Sequence, residues 1–138
     1  MGVIFWLSSR TAEESAEQSS HILNWLINIF GDNYLTSFIV RKSAHCLEFT
    51  GLCVLFNLAL LQTKKRKMPI WSVVFTSLYA ITDEVHQLFV EGRSCEFRDW
   101  VIDSCGAILG SIGFLILFFI IARLLSRKKV KFIDSENN

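Results

Sequence analysis

Long runs of apolar residues, separated by short charged segments, constrain the fold of this chain more than any other feature. A helix needs about 20 residues to cross a bilayer, and three segments reach that length. A soluble domain does not place its apolar residues in such unbroken runs. We therefore predict one membrane domain over residues 1–138, an all-α, polytopic bundle of transmembrane helices. The predicted spans are residues 44–62, 69–90 and 100–125, with a truncated N-terminal span at about residues 1–9.

Basic residues in the short segments predict how the spans are oriented, because cytoplasmic loops are enriched in Lys and Arg. The basic clusters at residues 64–67 and 123–131 are predicted to be cytoplasmic, and residues 126–138 to form a cytoplasmic tail. The segments 10–40 and 91–98 then lie outside. The prediction is a multi-pass protein of the cell membrane, with the lipid bilayer as a partner. The formal net charge of +1 gives no basic excess for nucleic acid, which we do not expect as a partner.

The segment that precedes the first full span has the pattern of an amphipathic helix. Thr11 and Glu14 have the spacing of a capping box, in which each side chain binds the backbone N–H of the other. Gly31 is predicted to end the helix. We predict an amphipathic helix lying on the outer interface, and a helix packed against the bundle stays an open alternative. Its apolar residues recur at helical spacing and are Ile22, Trp25, Leu26, Ile29 and Phe30.

Ionisable residues gather on one face of each predicted full span, close to the same membrane surface. Such residues cost a few kcal/mol each inside a membrane, so they face the bundle interior and find partners. At a rise of 1.5 Å per residue, Glu48 lies about 9 Å inward from Lys42, and Glu84 reaches a similar depth. We therefore predict that three helices bring polar groups to one pocket near the outer surface. The set comprises Arg41, His45, Glu48, Asp83, Glu84, His86, Gln87, Asp99 and Asp103, with Arg93 in the loop above them.

Several of these residues also have simpler structural explanations. His45 could be a satisfied histidine at a helix end, and Glu48 could form an ion pair with Arg41. Asp99 could be the N-cap of the last span, a role that stabilises a helix by about 1 kcal/mol. These roles do not explain the four polar side chains within residues 83–87, because each of them would need its own partner inside a membrane.

The last span also carries a stripe of small residues. Gly106, Gly110 and Gly113 continue the face that holds Asp99 and Asp103. Because glycine has no Cβ, such a stripe lets the backbone of a neighbouring helix approach closely. We therefore interpret these glycines as packing residues.

The polar residues also form blocks with a recognisable order and spacing. The blocks are Phe5-Trp6-Leu7-Ser8-Ser9 followed by Ser15 and Ser19, Arg41-Lys42-x-x-His45-x-x-Glu48, Asp83-Glu84-x-His86-Gln87 through Gly92-Arg93 to Asp99, and Asp103-x-x-Gly106-Ala107-x-x-Gly110. Together they resemble the VanZ-like family of small bacterial membrane proteins, named after a protein that confers teicoplanin resistance. The resemblance covers most of the chain. It departs from the family at Arg10, where Gln is usual, at Asp103, where Asn is usual, and in the truncated first span.

The resemblance implies a multi-pass bacterial membrane protein linked to glycopeptide resistance or to the cell envelope. We interpret the pocket as an outward-facing site that binds or acts on an envelope component. Candidate partners are a lipid-linked cell-wall precursor, a phospholipid headgroup or the glycopeptide itself. The guanidinium group of arginine can bind a phosphate or a carboxylate through two parallel hydrogen bonds. A carboxylate beside a histidine can transfer a proton. The predicted catalytic residues are Glu84, His86, Glu48, His45 and Asp83, and the predicted ligand-binding residues are Arg41, Arg93, Gln87, Asp99 and Asp103.

Three functional classes stay open at this point: an enzyme, a binding or transport module for a lipid or small molecule, and a structural membrane protein without catalysis. The sequence has no compact zinc motif such as His-Glu-x-x-His, so we predict no metal site and no cofactor. Loss of function in Glu84→Gln at normal membrane abundance would separate the first two classes from the third. Product analysis with purified protein would separate an enzyme from a binding module.

Overall fold

The structure is a computed structural model that describes residues 1–30, 36–93 and 95–136, and these residues form helices and short connections without a strand. The predicted all-α class is therefore confirmed. In chain order the helices are α1 (Gly2–Ser8), α2 (Ala12–Phe30), α3 (Ser37–Lys64), α4 (Pro69–Gln87) and α5 (Phe97–Glu136).

Two of these helices are long and apolar enough to cross a membrane. They are Phe38–Lys64 of α3 and Phe97–Arg127 of α5, and by length and composition both are candidate spans. The helix α4 is long enough but less apolar, because the polar residues near its C-terminal end lower its mean hydropathy. With seven residues, α1 is about 10 Å long at 1.5 Å per residue. The third full span and the truncated first span therefore stay predictions.

The helix boundaries differ from the predicted ones at several ends. The Thr36 hydroxyl accepts a hydrogen bond from the backbone N–H of Ile39 at 3.3 Å, and this N-cap lets α3 begin seven residues before the predicted span. The helix α5 begins at Phe97, so Asp99 lies in its first turn. The predicted N-cap role for Asp99 is therefore wrong, because the helix starts before it. The backbone of α5 also continues through Glu136, so most of the predicted tail is helical.

The helix α2 begins as its sequence predicts. The backbone N–H of Thr11 donates to Glu14 Oε2 at 3.2 Å, and the backbone N–H of Glu14 donates to Thr11 Oγ1 at 3.3 Å, which confirms the capping box. The helix packs against α3, yet Ile22 and Trp25 are exposed. Both predicted roles, packing on the bundle and facing the interface, are thus compatible with its position. Gly31 lies outside the described residues.

The closest packing in the bundle is between α3 and α5. A Cβ added to Gly106 would overlap the carbonyl oxygen of Cys46, and one added to Gly110 would overlap that of Thr50. The Thr50 hydroxyl donates to the carbonyl of Gly106 at 2.9 Å across the same crossing. The predicted packing role is confirmed for these two glycines. It is wrong for Gly113, because no atom lies within 4 Å of a Cβ built there and the helices have already diverged.

Candidate functional site

A polar cleft lies at the end of the bundle where α3 begins, α4 ends and α5 begins. We call this the cleft end; the opposite end, where α3 turns into α4 through the basic residues 64–67, is the basic-loop end. The main part of the cleft, the wide chamber, has a volume of about 70 Å³. The first residue of α2 and the loop after α4 complete its wall. The wide chamber is lined by Ala12, Arg41, Lys42, His45, Gln87, Gly92, Arg93, Glu96 and Asp99.

A second, smaller space adjoins the wide chamber and shares four of its residues. This narrow chamber has a volume of about 10 Å³, which is close to the smallest space that holds one water molecule. Its walls come from α3, α4 and α5, so three helices meet at this point. The narrow chamber is lined by Lys42, His45, Glu84, Gln87, Asp99, Ile102 and Asp103.

Arg93 reaches the wide chamber from the loop after α4. Gly92 has a φ of +75°, in the left-handed region that glycine adopts without strain, and a Cβ there would lie 3.0 Å from the Ala12 side chain. The Nε of Arg93 donates to the carbonyl of Arg10 at 2.9 Å. This contact uses the backbone of Arg10, whose own guanidinium lies 4.5 Å from the Trp6 ring. The departure from the family at Arg10 therefore does not alter the cleft wall.

The two arginines of the wide chamber lie close enough to repel each other. Burial lowers the pKa of Arg93, and the positive charge of Arg41 lowers this pKa further. A guanidinium stays protonated under these conditions. Among the described residues, neither arginine forms an ion pair with a carboxylate. Two cations therefore face one small space without a direct ion pair of their own, and the carboxylates that act on Arg93 do so from a distance.

An ion pair between Lys42 and Asp99 connects α3 to α5 across the cleft. Both side chains are mostly buried, and Asp99 Oδ1 has no hydrogen-bond partner within the described part of the chain. The sequence analysis did not select Lys42 as a site residue. Helical spacing does indicate Lys42 as a site residue, because it lies three positions before His45 and such residues share a helix face.

Glu96 is a second site residue that the sequence analysis missed. Its backbone N–H donates to Glu84 Oε2 at 3.0 Å, and its carboxylate pairs with Arg98 at 2.9 Å. The loop thus closes over Glu84 by a backbone hydrogen bond. No side-chain pattern in the sequence predicts such a contact.

The narrow chamber contains the two most deeply buried carboxyl groups of the cleft. Glu84 is 3% exposed and Asp103 is 2% exposed. Within the described residues, no hydrogen bond or ion pair reaches the carboxyl group of Asp103. The Nδ1 atom of His45 is also buried without a partner there. Because buried polar atoms are nearly always hydrogen-bonded, these groups mark a place for water or ligand atoms.

Asp83 lies behind the cleft wall rather than in it. Its Oδ2 accepts hydrogen bonds from the Ser8 hydroxyl at 2.8 Å and from Gln87 Nε2 at 3.1 Å. Ser8 is fully buried, and through it α1 contributes a hydrogen bond to α4. Asp83 therefore orients Gln87, which does line the cleft.

Two other predicted site residues do not line either chamber. Glu48 lies one turn below His45 on α3, and its buried Oε2 has no partner in the part of the chain that the structure describes. His86 packs on Phe5 with a ring-centroid distance of 4.2 Å. The structure thus brings most of the predicted residues together but leaves Glu48, Asp83 and His86 outside the cleft. Those that line the cleft are Arg41, His45, Glu84, Gln87, Arg93, Asp99 and Asp103.

The described residues contain no group of three or more His, Cys, Asp or Glu side chains arranged to hold a metal ion. The cleft is instead a mixed site of arginine, lysine and carboxyl groups. Such a site suits the binding of a charged organic group through hydrogen bonds and ion pairs.

Fold and site together define an all-helical protein that has two apolar helices of membrane-spanning length and a polar cleft at one end. The sequence model of the VanZ/LLP1 family matches residues 1–121, so the chain belongs to the VanZ/LLP1 family. The match confirms the resemblance that the sequence blocks predict, and it includes every residue that lines the cleft. No curated protein and no solved structure matches this chain. The two apolar helices and the family membership together indicate a membrane protein.

Proposed function

We propose that this protein is a multi-pass protein of the cell membrane whose cleft binds the anionic group of a cell-envelope component. The observation that carries the proposal is the position of Arg41 and Arg93, which line one chamber of about 70 Å³ without a carboxylate partner among the described residues. A guanidinium forms two parallel hydrogen bonds with a phosphate or a carboxylate. Such an anion would supply the missing counter-charge.

The proposed ligand is a lipid-linked cell-wall precursor, a phospholipid headgroup or a glycopeptide such as teicoplanin. Envelope lipids and precursors present phosphate or carboxylate groups at the membrane surface, where the cleft end would meet them. The resemblance to proteins of teicoplanin resistance supports an envelope ligand. Binding either the glycopeptide or a component that the glycopeptide recognises would link this cleft to resistance.

The proposed orientation places the cleft end outside and the basic-loop end in the cytoplasm. The helix α3 runs from the cleft to Lys64, so the two ends lie about one span apart. In a chain with Cys95 replaced by serine, Lys65→Cys is expected to resist a membrane-impermeant thiol reagent in intact cells. Native Cys95, which is exposed near the cleft, is expected to react. Reaction at position 65 would contradict the orientation.

Ligand binding is tested with purified full-length protein and a short-chain phosphatidic acid as the probe, followed by native mass spectrometry. Arg93→Lys keeps the positive charge but loses the two parallel N–H donors of the guanidinium. A hydrogen bond to a charged group contributes about 1.5–3 kcal/mol, so we expect the affinity for the lipid to fall about tenfold or more. Arg41→Gln is expected to weaken binding further. Arg66→Lys, at the basic-loop end, is the matched control. Unchanged affinity in both cleft variants would refute the anion site.

A catalytic role is the second candidate, and one observation favours it. His45 and Glu84 line the narrow chamber together, whereas the His86 ring packs on Phe5. A histidine and a carboxyl group in one chamber can move a proton to or from a bound group. If the protein is an enzyme, Glu84→Gln and His45→Gln should each abolish product formation, while His86→Gln should retain it. The readout is product analysis with purified protein and envelope lipid extract.

A further inference from the structure

The two chambers of the cleft differ in the groups that line them. The wide chamber faces the guanidinium groups of Arg41 and Arg93, and the narrow chamber faces the carboxyl groups of Glu84 and Asp103. The Lys42–Asp99 ion pair borders both chambers. The cleft therefore places guanidinium groups in one chamber and carboxyl groups in the adjoining one.

We propose that the ligand is zwitterionic, with a phosphate in the wide chamber and a primary ammonium in the narrow chamber, as in a phosphoethanolamine headgroup. The inference rests on the proposed function, because it uses the same arginines for the phosphate. It adds the chemical class of the ligand and assigns a role to the carboxyl groups, which an anion site alone does not use.

The case for the ammonium begins with the carboxyl groups. Among the described residues, no Lys or Arg pairs with Glu84 or Asp103, and Lys42 pairs with Asp99. A buried carboxylate without a counter-charge costs several kcal/mol, whereas an ammonium beside it removes most of that cost. Asp103 is 2% exposed, lines the chamber and has no hydrogen bond in the described structure. It is thus a buried carboxyl group in the wall of the narrow chamber.

The buried acceptors match the number of donors of a primary ammonium. An ammonium group has three N–H donors. The Oδ1 atom of Asp99 is buried without a partner in the described part of the chain, and the carboxyl group of Asp103 is 2% exposed beside it in the chamber wall. Glu84 offers its second carboxyl oxygen, which it shares with the thiol of Cys95, while Oε2 binds the backbone N–H of Glu96. The narrow chamber can therefore satisfy all three donors.

The size of the narrow chamber discriminates between amines. About 10 Å³ is enough for one atom group the size of water, and an ammonium nitrogen has that size. The trimethylammonium group of choline is larger and has no N–H donor. A glycerol headgroup carries no positive charge at all. The geometry therefore favours ethanolamine over choline and over glycerol.

The test compares phosphatidylethanolamine, phosphatidylglycerol and phosphatidylcholine of the same short chain length, titrated against the full-length protein in detergent by native mass spectrometry. We expect phosphatidylethanolamine to bind at least tenfold more tightly than the other two. Asp103→Asn removes a charge at nearly constant shape, and it should reduce this preference to less than threefold. Glu91→Gln removes an exposed carboxylate outside the cleft and should leave the preference intact. Melting temperatures of both variants confirm that each is folded.

The failure of this inference is distinguishable from the failure of the proposed function. Equal binding of phosphatidylethanolamine and phosphatidylglycerol, with sensitivity to Arg93→Lys, would overturn the zwitterion and leave the anion site standing. Binding of neither lipid would overturn both. Competition by free O-phosphoethanolamine, with no competition by glycerol 1-phosphate, would support recognition of the headgroup alone. Retained lipid preference without such competition would support a ligand that remains in the membrane.

Discussion

The cleft end and the basic-loop end of the bundle are built from the same helices, yet they pack differently. Between the cleft end and the middle of α3, α3 and α5 touch through their backbones at Gly106 and Gly110. Towards the basic-loop end, the same two helices leave an apolar groove of about 240 Å³. The groove contains no ionisable residue, and Gly113 lies on its wall with open space above it.

The difference shows where this fold needs accurate packing. Polar groups from three helices must meet within a few ångströms at the cleft end, and small shifts would leave buried carboxyl groups without partners. An apolar groove needs no such accuracy, because a shift of its walls leaves no polar side chain without a hydrogen bond. Gly106 and Gly110 therefore hold α3 and α5 together on the side of the cleft, whereas Gly113 lies at the groove, and the comparison can be tested at both places.

The largest effect is expected from Gly106→Ala. A methyl group at this position would overlap the carbonyl oxygen of Cys46 and push α3 away from α5. We expect a loss of about 1–3 kcal/mol in stability, measured as a lower melting temperature in detergent or nanodiscs. Gly113→Ala is the matched control and should leave the melting temperature unchanged or slightly higher. Equal losses in the two variants would remove the distinction between the ends.

A smaller effect is expected from Ser8→Ala, which tests whether α1 supports the cleft. The Ser8 hydroxyl is one of two donors to Asp83, and its loss leaves a buried acceptor with one hydrogen bond fewer. We expect a loss of about 1 kcal/mol together with weaker ligand binding, because Asp83 orients Gln87. Ser9→Ala, which changes an exposed serine bound to its own helix backbone, should alter neither value. An unaltered melting temperature in Ser8→Ala would show that α1 does not stabilise the cleft end of the bundle.

The smallest effect is expected from Thr11→Ala, which removes one half of the capping box of α2. The cost is about 1 kcal/mol, and we expect it locally, as faster hydrogen exchange at residues 12–14. The global melting temperature should stay the same, because α2 packs mainly against α3, outside the contacts among α3, α4 and α5. Thr63→Ala, on an exposed threonine at the basic-loop end, is the control. Slower or unchanged exchange would argue against a role for the cap.

Much of the fold and part of the site follow from local patterns in the sequence. The apolar runs, the capping box at Thr11 and the start of α4 at Pro69 depend on neighbouring residues alone, and the structure has each of them. The local sequence also determines which end of each helix carries polar residues on one face. For this reason the sequence predicts Arg41, His45 and Glu84 as site residues, whereas it does not predict Lys42 and Glu96.

The contacts that complete the site depend on how the helices are rotated about their axes, and only the tertiary structure decides that rotation. Gln87 lines the cleft while its neighbour His86 packs on Phe5, because successive residues of a helix point about 100° apart. The Lys42–Asp99 pair joins residues 57 positions apart, and the Ser8–Asp83 hydrogen bond joins residues 75 positions apart. Helical periodicity places a residue on a face, but side-chain packing between helices determines which partner that face meets.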